Sequence, residues 1–273
     1  EGVSAQFATL AGRGLVPTEA PFRLLSAGKE LDAEGAASDG EFFYVVGSHS
    51  VKRKDCASNP FARQVLRFKV AGTPAPEASR RLWESMQREP LLGRHADGCL
   101  GVGTGGNDEQ MARRPGLNIE GMAASGGRLY FGFRAPSLDG VVPVYSVGAA
   151  ALFGDGDLQP QLANLRVGAG SGIRDMVAAG PSILLLIGPD DRPTAGTPSW
   201  RIAAWTPDAA ATAIQQPRML AALDLSTVKF DTCADAPKPE ALAILEETES
   251  AYRVLVLSDG VCDGGPLVFN LAK

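Results

Sequence analysis

The sequence predicts an all-β protein, a β-propeller of five blades, with six as the alternative. Three observations support this prediction: paired apolar runs of strand length that recur along the chain, an acidic residue at the start of each copy, and many turn residues, with 32 Gly and 19 Pro in 273 residues. Repeats built from hairpins with one or two further strands are typical of propeller blades. One domain is therefore assigned to residues 1–273.

The repeat consists of an acidic residue, small and apolar residues, a polar turn and a second apolar run. Each copy reads as a β-hairpin. Its four copies start at Glu34, Glu120, Asp175 and Glu240, and residues 1–5 resemble a shortened fifth copy. Too few residues follow Glu240 for a complete blade. We therefore expect the N-terminal segment to close the ring beside the last apolar strand, residues 267–271.

One segment departs from the repeat, at about residues 77–116. Apolar residues Leu82, Trp83, Met86 and Leu91 stand among Glu and Arg in residues 77–92, which predicts a short helix in a long connection. A Gly-rich stretch follows and formally matches GxGxxG from Gly101 to Gly106. That fingerprint requires a strand before it and a helix after it, so a loop is the better interpretation.

Composition narrows the classes of partner. A net charge of −5 and a pI near 5.2 argue against nucleic-acid binding, which requires a basic face. No apolar stretch reaches the roughly 18 to 20 residues of a membrane helix. The first residues of the sequence do not form a basic, apolar leader, which predicts either a cytosolic protein or one whose leader has already been removed.

The cysteines are four in number and contain no CxxC spacing, so disulfides in an oxidising compartment are favoured over a zinc site. Strand order and proximity within the repeats predict the pairs Cys56 with Cys99 and Cys233 with Cys262. These pairs indicate a periplasmic or secreted protein. The alternative is four free thiols in a cytosolic protein.

The repeat geometry predicts a polar site at one end of the channel. In a propeller blade the first strand starts at the face to which the second strand returns. The four leading acids should therefore surround the channel mouth, together with the residues that follow the second strands, which are His49, Arg134, Asp190 and Asp259.

Two interpretations of the leading acids remain open. Glu34, Glu120, Asp175 and Glu240 could bind a metal ion such as Ca²⁺, or raise one another's pKa for acid–base chemistry. Alternatively each carboxylate accepts backbone N–H bonds from a neighbouring blade, and this structural interpretation is favoured. For His49 a role as a base is likewise weaker than a role as a polar residue closing a strand.

Residues 32–37 with 47–50, residues 116–123 and residues 132–136 resemble a bacterial family known as domain of unknown function thirty-six sixteen, which is similar to esterase-like phytase propellers. The resemblance covers about residues 30–150 well and the C-terminal part loosely. It implies a β-propeller and export, and no established activity or catalytic residue.

These observations predict a non-catalytic exported module that holds a small molecule, an ion or a protein at the channel mouth. The binding residues would be Glu34, His49, Glu120, Arg134, Asp175, Glu240 and Asp259. The alternative is a metal-assisted hydrolase of phosphoesters or esters that uses the carboxylates with His49 and Arg134.

Overall fold

Strands dominate this computed structural model, which describes residues 3–12, 14–25, 30–100, 115–191, 199–229, 237–261 and 264–273. Four short strands precede the first blade: β1 (Ser4–Ala5), β2 (Ala8–Ala11), β3 (Gly14–Pro17) and β4 (Phe22–Arg23). They form two small antiparallel sheets, β1 with β4 and β2 with β3. Alternation of apolar and polar residues in the following runs then produces four larger sheets, each an antiparallel meander.

The four larger sheets are the blades of the propeller, and their strands follow chain order. Blade 1 contains β5 (Ala33–Ser38), β6 (Phe42–Gly47), β7 (Val65–Lys69) and β8 (Glu77–Ser79). Blade 2 contains β9 (Asn118–Ser125), β10 (Arg128–Ala135), β11 (Val141–Gly148) and β12 (Gln161–Arg166). Blade 3 contains β13 (Ser171–Ala179), β14 (Ser182–Pro189), β15 (Trp200–Trp205) and β16 (Arg218–Leu223). Blade 4 contains β17 (Pro239–Glu247), β18 (Ala251–Ser258) and β19 (Leu267–Ala272).

The first strand of each blade is the innermost one. β5 packs against β9, β9 against β13 and β13 against β17, so these four strands surround the channel. Separate apolar cores fill the interfaces of blade 1 with blade 2, blade 2 with blade 3, and blade 3 with blade 4. The predicted propeller is thus confirmed, with four blades among the described residues where the sequence predicted five or six.

The helical excursion packs over the interface of blades 1 and 2. Its helices are α1 (Arg81–Arg88) and α2 (Pro90–Gly93), and a third short helix, α3 (Ala149–Leu152), follows blade 2's third strand. Leu82 and Met86 of α1 are fully buried in the core that blades 1 and 2 share. The predicted helix is confirmed, although residues 77–79 form β8. The Gly-rich stretch lies outside the described residues.

The N-terminal segment packs on blade 1 and does not complete blade 4. Phe7 and Phe22 meet Phe43 and Phe68, with ring centroids 5.4 Å apart for Phe7–Phe43 and 5.0 Å for Phe22–Phe68. Among the described residues β19 pairs with β18 alone. The predicted closure by pairing with the last strand is therefore wrong for these residues. Burial of the four aromatic rings against one another explains the observed position.

A disulfide joins Cys56, which follows blade 1's second strand, to Cys99, which follows α2. This pair was predicted and is confirmed. Cys233 and Cys262 lie outside the described residues. Within the described ranges, no helix is long and apolar enough to cross a bilayer.

Candidate functional site

A β-bulge interrupts every inner strand at the same position. In blade 1 the pairing passes from Ala33↔Gly47 to Gly35↔Val46, which leaves Glu34 without a partner residue. The same shift leaves Glu120, Arg174 and Glu240 unpaired in the other three blades. A bulge turns its extra residue out of the ordinary alternation of strand side chains. These four residues are therefore structurally equivalent, and all lie at the channel mouth.

Arg174, and not Asp175, is the blade 3 member of this set. The sequence repeat aligned Asp175 with the three glutamates because it is acidic, and the bulge shows that this alignment is wrong by one residue. Arg174 is fully buried, and its guanidinium contacts both Glu120, at 2.7 Å, and Glu240. The mouth thus carries three carboxyl groups and a cation that the chain itself supplies.

Asp175 has a different role. Its carboxylate accepts backbone N–H bonds from Leu242 of blade 4, at 2.6 Å, and from Met176, at 2.7 Å. A third bond comes from the N–H of Met122 in blade 2. Burial nevertheless holds the pKa of Asp175 well above its usual range. These bonds join three blades. For Asp175 they match the structural interpretation, in which a leading acid accepts backbone N–H bonds from a neighbouring blade.

A chain of alternating charges runs across the mouth from blade 1 to blade 4. Asp191 contacts Arg53 at 3.1 Å and Arg134 at 3.2 Å. Arg134 lies 2.9 Å from Glu120, and Glu120 continues to Arg174. At the far end Lys238 contacts Glu240 and Asp259, each at 2.9 Å. We call this series the ion chain; its members in order are Arg53, Asp191, Arg134, Glu120, Arg174, Glu240, Lys238 and Asp259.

Glu34 is the equivalent residue that the ion chain leaves out. Within the described part of the protein its side chain has no hydrogen bond or ion pair. Burial raises the pKa of Glu34 to about 9, and the negative charges of Glu120, Asp32 and Glu240 add to this shift while Arg174 opposes it. A carboxyl group with this pKa is protonated at neutral pH, so Glu34 is a hydrogen-bond donor as well as an acceptor.

Two cavities meet at Glu34. The first, the mouth cavity, has a volume of about 650 Å³ and polar walls that include Asp32, Glu34, Ser50, Lys52, Lys54 and Asn118. The second, the wedge cavity, has a volume of about 340 Å³ and lies between blades 1 and 4. Its walls include Glu34, Ala36, Val45, Ala241, Leu255 and Leu257. A small molecule at this junction would contact the Glu34 carboxyl group directly.

His49 lies away from these cavities. Its ring is fully buried beside Trp83, with ring centroids 6.2 Å apart, and Nδ1 donates to the carbonyl oxygen of Gly47. Burial lowers the pKa of His49 to about 4, so the ring is neutral at pH 7. This environment fits the structural interpretation of His49. The predicted mouth residues Arg134 and Asp259 do lie on the ion chain, and the side chain of Arg134 donates to the backbone carbonyl of Asp190.

Sequence reasoning missed several charged and polar residues of the mouth. Asp191 directly follows a residue that the sequence did single out, Asp190, and is almost fully buried. Lys238 stands two residues before Glu240, and Asn118 stands two residues before Glu120 and donates to it. These residues could have been found by their closeness in sequence to residues that were already predicted to lie at the mouth, because residues next to the start of a strand lie on the same face of the propeller.

The predicted metal site has no geometric support. Among the residues that the structure describes, no three His, Cys, Asp or Glu side chains are arranged to hold one metal ion. Glu120 and Glu240 instead contact Arg174. A calcium site formed by Glu34, Glu120, Asp175 and Glu240 therefore stays a prediction.

Comparisons with solved structures return glycoside hydrolases at low similarity. One is the GH43 enzyme of a study titled for its engineered endo-xylanase and exo-arabinofuranosidase activity, with 14% identity and a TM-score of 0.38; the match covers 89% of this chain and 41% of that one. Another is a GH43 endo-arabinanase from Bacillus licheniformis, with 10% identity and a TM-score of 0.35, covering 100% and 90% of the two chains. The expected relation to phytase propellers stays a prediction.

No curated protein matches the chain. A family model does: it is described as "Protein of unknown function (DUF3616)" and matches residues 17–82 and 71–263. These two ranges overlap and together take in most of the chain, including all four bulge residues. The chain therefore belongs to the DUF3616 family of proteins of unknown function.

Proposed function

We propose that this protein is a non-catalytic binding module, and that its ligand is a small molecule held at the junction of the mouth cavity and the wedge cavity. One observation carries the proposal: Glu34 is a largely buried carboxyl group that borders both cavities and has no partner among the described residues. Buried polar groups normally have hydrogen-bond partners. A ligand oxygen would provide the partner that the chain does not.

The protonation state of Glu34 indicates how it would recognise a ligand. A carboxyl group kept neutral by a low-polarity environment can donate a hydrogen bond to a ligand oxygen at neutral pH. Around it, Lys52 offers a further donor, and the side-chain oxygen of Asn118, whose amide nitrogen donates to Glu120 and Asp191, offers an acceptor in the mouth cavity. The polar mouth cavity adjoins the mainly apolar wedge cavity, so a small molecule at the junction can make both hydrogen bonds and apolar contacts. This composition favours a small molecule over a protein or a bare ion.

Export to the periplasm or the medium is part of the proposal. The disulfide between Cys56 and Cys99 supports it, because disulfides persist mainly in oxidising compartments. A compartment outside the cytoplasm would give the module access to small molecules that the cell takes up or senses.

Hydrolysis of an ester or phosphoester is a second candidate, and the same residue favours it. A general acid must hold a proton at the working pH and lie within reach of the leaving-group oxygen. Glu34 holds its proton up to about pH 9 and borders an open cavity. In this alternative a water molecule attacks the phosphorus atom as the bond to the leaving oxygen breaks. Glu34 protonates that oxygen and regains a proton from the attacking water, while Lys52 and Lys54 in the same cavity attract the phosphate group.

The variant Glu34→Gln separates the two candidates, because glutamine keeps a hydrogen-bond donor and loses the transferable proton. The wild type would be screened by thermal shift against uncharged sugars, short-chain ketones and esters, and phosphate monoesters. Turnover of p-nitrophenyl acetate and p-nitrophenyl phosphate would be followed in parallel. Glu41→Gln, an exposed turn residue, serves as the matched control.

A binding module predicts that Glu34→Gln retains ligand binding within about threefold, and that Glu34→Leu, which has no donor, weakens it at least tenfold. A hydrolase predicts that Glu34→Gln loses at least a hundredfold in kcat and keeps its affinity. A ligand that binds equally well to the wild type and to Glu34→Leu would refute the proposed site.

A further inference from the structure

The wedge cavity differs from the other blade interfaces in how its walls are filled. Between blades 2 and 3, large side chains of blade 3 occupy the space beside glycines of blade 2: a Cβ atom added to Gly121 would lie 2.7 Å from Cγ of Met176, and one added to Gly132 would lie 2.7 Å from Cγ2 of Ile173. Side chains of blade 3 thus pack directly against the backbone of blade 2 at these two positions.

Between blades 4 and 1 the facing residues are small. Ala36 of β5 and Ala241 and Ala243 of β17 line the wedge, together with the larger aliphatic residues Val45, Leu255 and Leu257. On the blade 1 side the cause is the small side chain of Ala36, which stands two residues after the bulge residue, where blades 2 and 3 have Met122 and Met176. The space of about 340 Å³ that results is bounded mainly by carbon atoms.

The charged groups around the wedge are all acidic. Glu34, Asp175 and Glu240 border it, and among the described residues that line it there is no Lys, Arg or His. The two cations that contact Glu240 each have a second acidic partner, which is Glu120 for Arg174 and Asp259 for Lys238. Lys52 and Lys54 line the mouth cavity and not the wedge. An anionic ligand in the wedge would lose its hydration and meet only carboxyl groups, which is unfavourable.

We propose that the ligand is an uncharged amphipathic molecule whose oxygen accepts a hydrogen bond from Glu34 and whose alkyl group, or a similar apolar group, occupies the wedge cavity between blades 1 and 4. This inference rests on the proposed binding role of Glu34 and adds the class of ligand. Ketones, amides and uncharged esters with short apolar chains have this chemistry. Carboxylates and phosphates of the same length do not.

A homologous series of ketones tests whether the apolar group of the ligand occupies the wedge cavity. Dissociation constants would be measured by ligand-observed NMR for 2-butanone through 2-octanone, with hexanoate and hexylamine as charged analogues. Because each buried methylene contributes about 0.8 kcal/mol, affinity should rise roughly threefold to fourfold per methylene until the wedge is full. Hexanoate should bind at least tenfold more weakly than 2-heptanone.

Two variants of the wedge make the test specific. Ala241→Phe fills the cavity and should abolish the dependence on chain length, whereas Leu255→Ala enlarges it and should extend that dependence to longer ketones. Ala209→Phe, in an exposed loop, is the control and should change nothing. Thermal unfolding of each variant confirms that it is folded before binding is measured.

The outcomes distinguish this inference from the proposed function. Ketones that bind through Glu34 with no dependence on chain length, or with a dependence that Ala241→Phe leaves intact, would refute the wedge and leave the binding role standing. Hexylamine or hexanoate binding more tightly than the matching ketone would refute the uncharged class. If no compound of any class depends on Glu34, the proposed function itself fails.

Discussion

Two buried ionisable residues, Glu34 and His49, have pKa values that are shifted away from those of the unfolded chain. Burial raises the pKa of Glu34 from 4.5 to about 9 and lowers that of His49 from 6.5 to about 4. In both cases burial favours the neutral form, which is protonated for a carboxyl group and deprotonated for an imidazole. The two residues therefore link stability to pH with opposite signs.

For Glu34, the native state binds one more proton than the unfolded state between about pH 4.5 and 9. Stability should accordingly fall as pH rises through this window, by up to about 1.4 kcal/mol per pH unit. Glu34→Gln removes this proton uptake, so its stability should fall less steeply with pH and exceed that of the wild type at pH 8. Urea unfolding at pH 5, 6.5 and 8 measures the difference, and parallel curves for the two proteins would contradict the shifted pKa.

For His49, the unfolded state binds the extra proton between about pH 6.5 and 4. Stability conferred by the neutral ring is complete above pH 6.5 and is lost as pH falls toward 4. We expect the wild type to lose about 2 kcal/mol more than His49→Gln between pH 7 and pH 4.5. The measurement is the free energy of unfolding at both values, and NMR titration of His49 would show directly whether its pKa lies near 6.5 instead.

At the scale of strands, the ion chain changes from buried to exposed along its length. Arg174 has a side chain that is 1% exposed, and Lys238 has one that is 47% exposed. Breaking a buried ion pair leaves a charge without compensation, whereas an exposed pair contributes little. Arg174→Met should therefore destabilise the protein by about 3 to 5 kcal/mol at pH 7.

Lys238→Met provides the comparison and should cost less than about 1 kcal/mol. Chemical denaturation of both variants at low and high salt measures their free energies of unfolding and shows whether Arg174 is in a buried ion pair and Lys238 in an exposed one. Equal losses for Arg174→Met and Lys238→Met would show that the buried contacts of Arg174 are not formed. Salt should weaken the small effect at Lys238 and leave the large effect at Arg174 nearly unchanged.

The spacing of blades 2 and 3 depends on close backbone contact at Gly172. A Cβ atom there would lie 2.4 Å from the carbonyl oxygen of Arg134, which cannot move without moving β10. Gly172→Ala should cost about 1 to 3 kcal/mol through forced separation of the two blades. Gly14→Ala in β3, where no atom lies within 4 Å of the added Cβ, should change stability by less than about 0.5 kcal/mol. Urea midpoints of both variants test this contrast.

For the whole molecule, the disulfide closes a segment with a sequence separation of 43 and ties the helical excursion to blade 1. Chain-entropy arguments give about 4 kcal/mol for a loop of this length, and measured values are often lower. The double variant Cys56→Ser, Cys99→Ser should lower stability by about 2 to 4 kcal/mol. Thermal unfolding measures the loss, and mass spectrometry after alkylation without reductant should find Cys56 and Cys99 unmodified.

Much of the architecture could be predicted from the sequence because each hairpin is specified locally. Apolar runs and tight turns located the inner strands, and the pattern of apolar and charged residues in 77–92 predicted the helix that the structure shows as α1. The N-terminal segment was placed wrongly because its contacts are aromatic and long-range: Phe7 meets Phe43, and no local pattern specifies that partner. The position of a segment around the ring is set by its tertiary contacts and cannot be predicted from a local pattern.

The candidate site could be predicted in part for the same reason. Glu34, Glu120 and Glu240 were found because they repeat. Arg174 was missed because every copy of the repeat was assumed to begin with an acidic residue. Only the pairing register shows that Arg174 is their equivalent. The unusual state of Glu34 depends on burial and on residues from other blades, which are distant in sequence, so it could not be read from its own surroundings in the chain.

The four bulges also bear on how this scaffold can change. A residue at a bulge stands outside the hydrogen-bonding ladder, so the backbone register does not depend on its side chain. Three blades present glutamate and one presents arginine on the same bulged backbone, and the ion pairs of Glu120, Arg174 and Glu240 set the cost of exchanging those residues. Glu34, which the ion chain leaves out, is therefore the bulge position at which a single substitution changes the charge at the channel without breaking an ion pair of the chain.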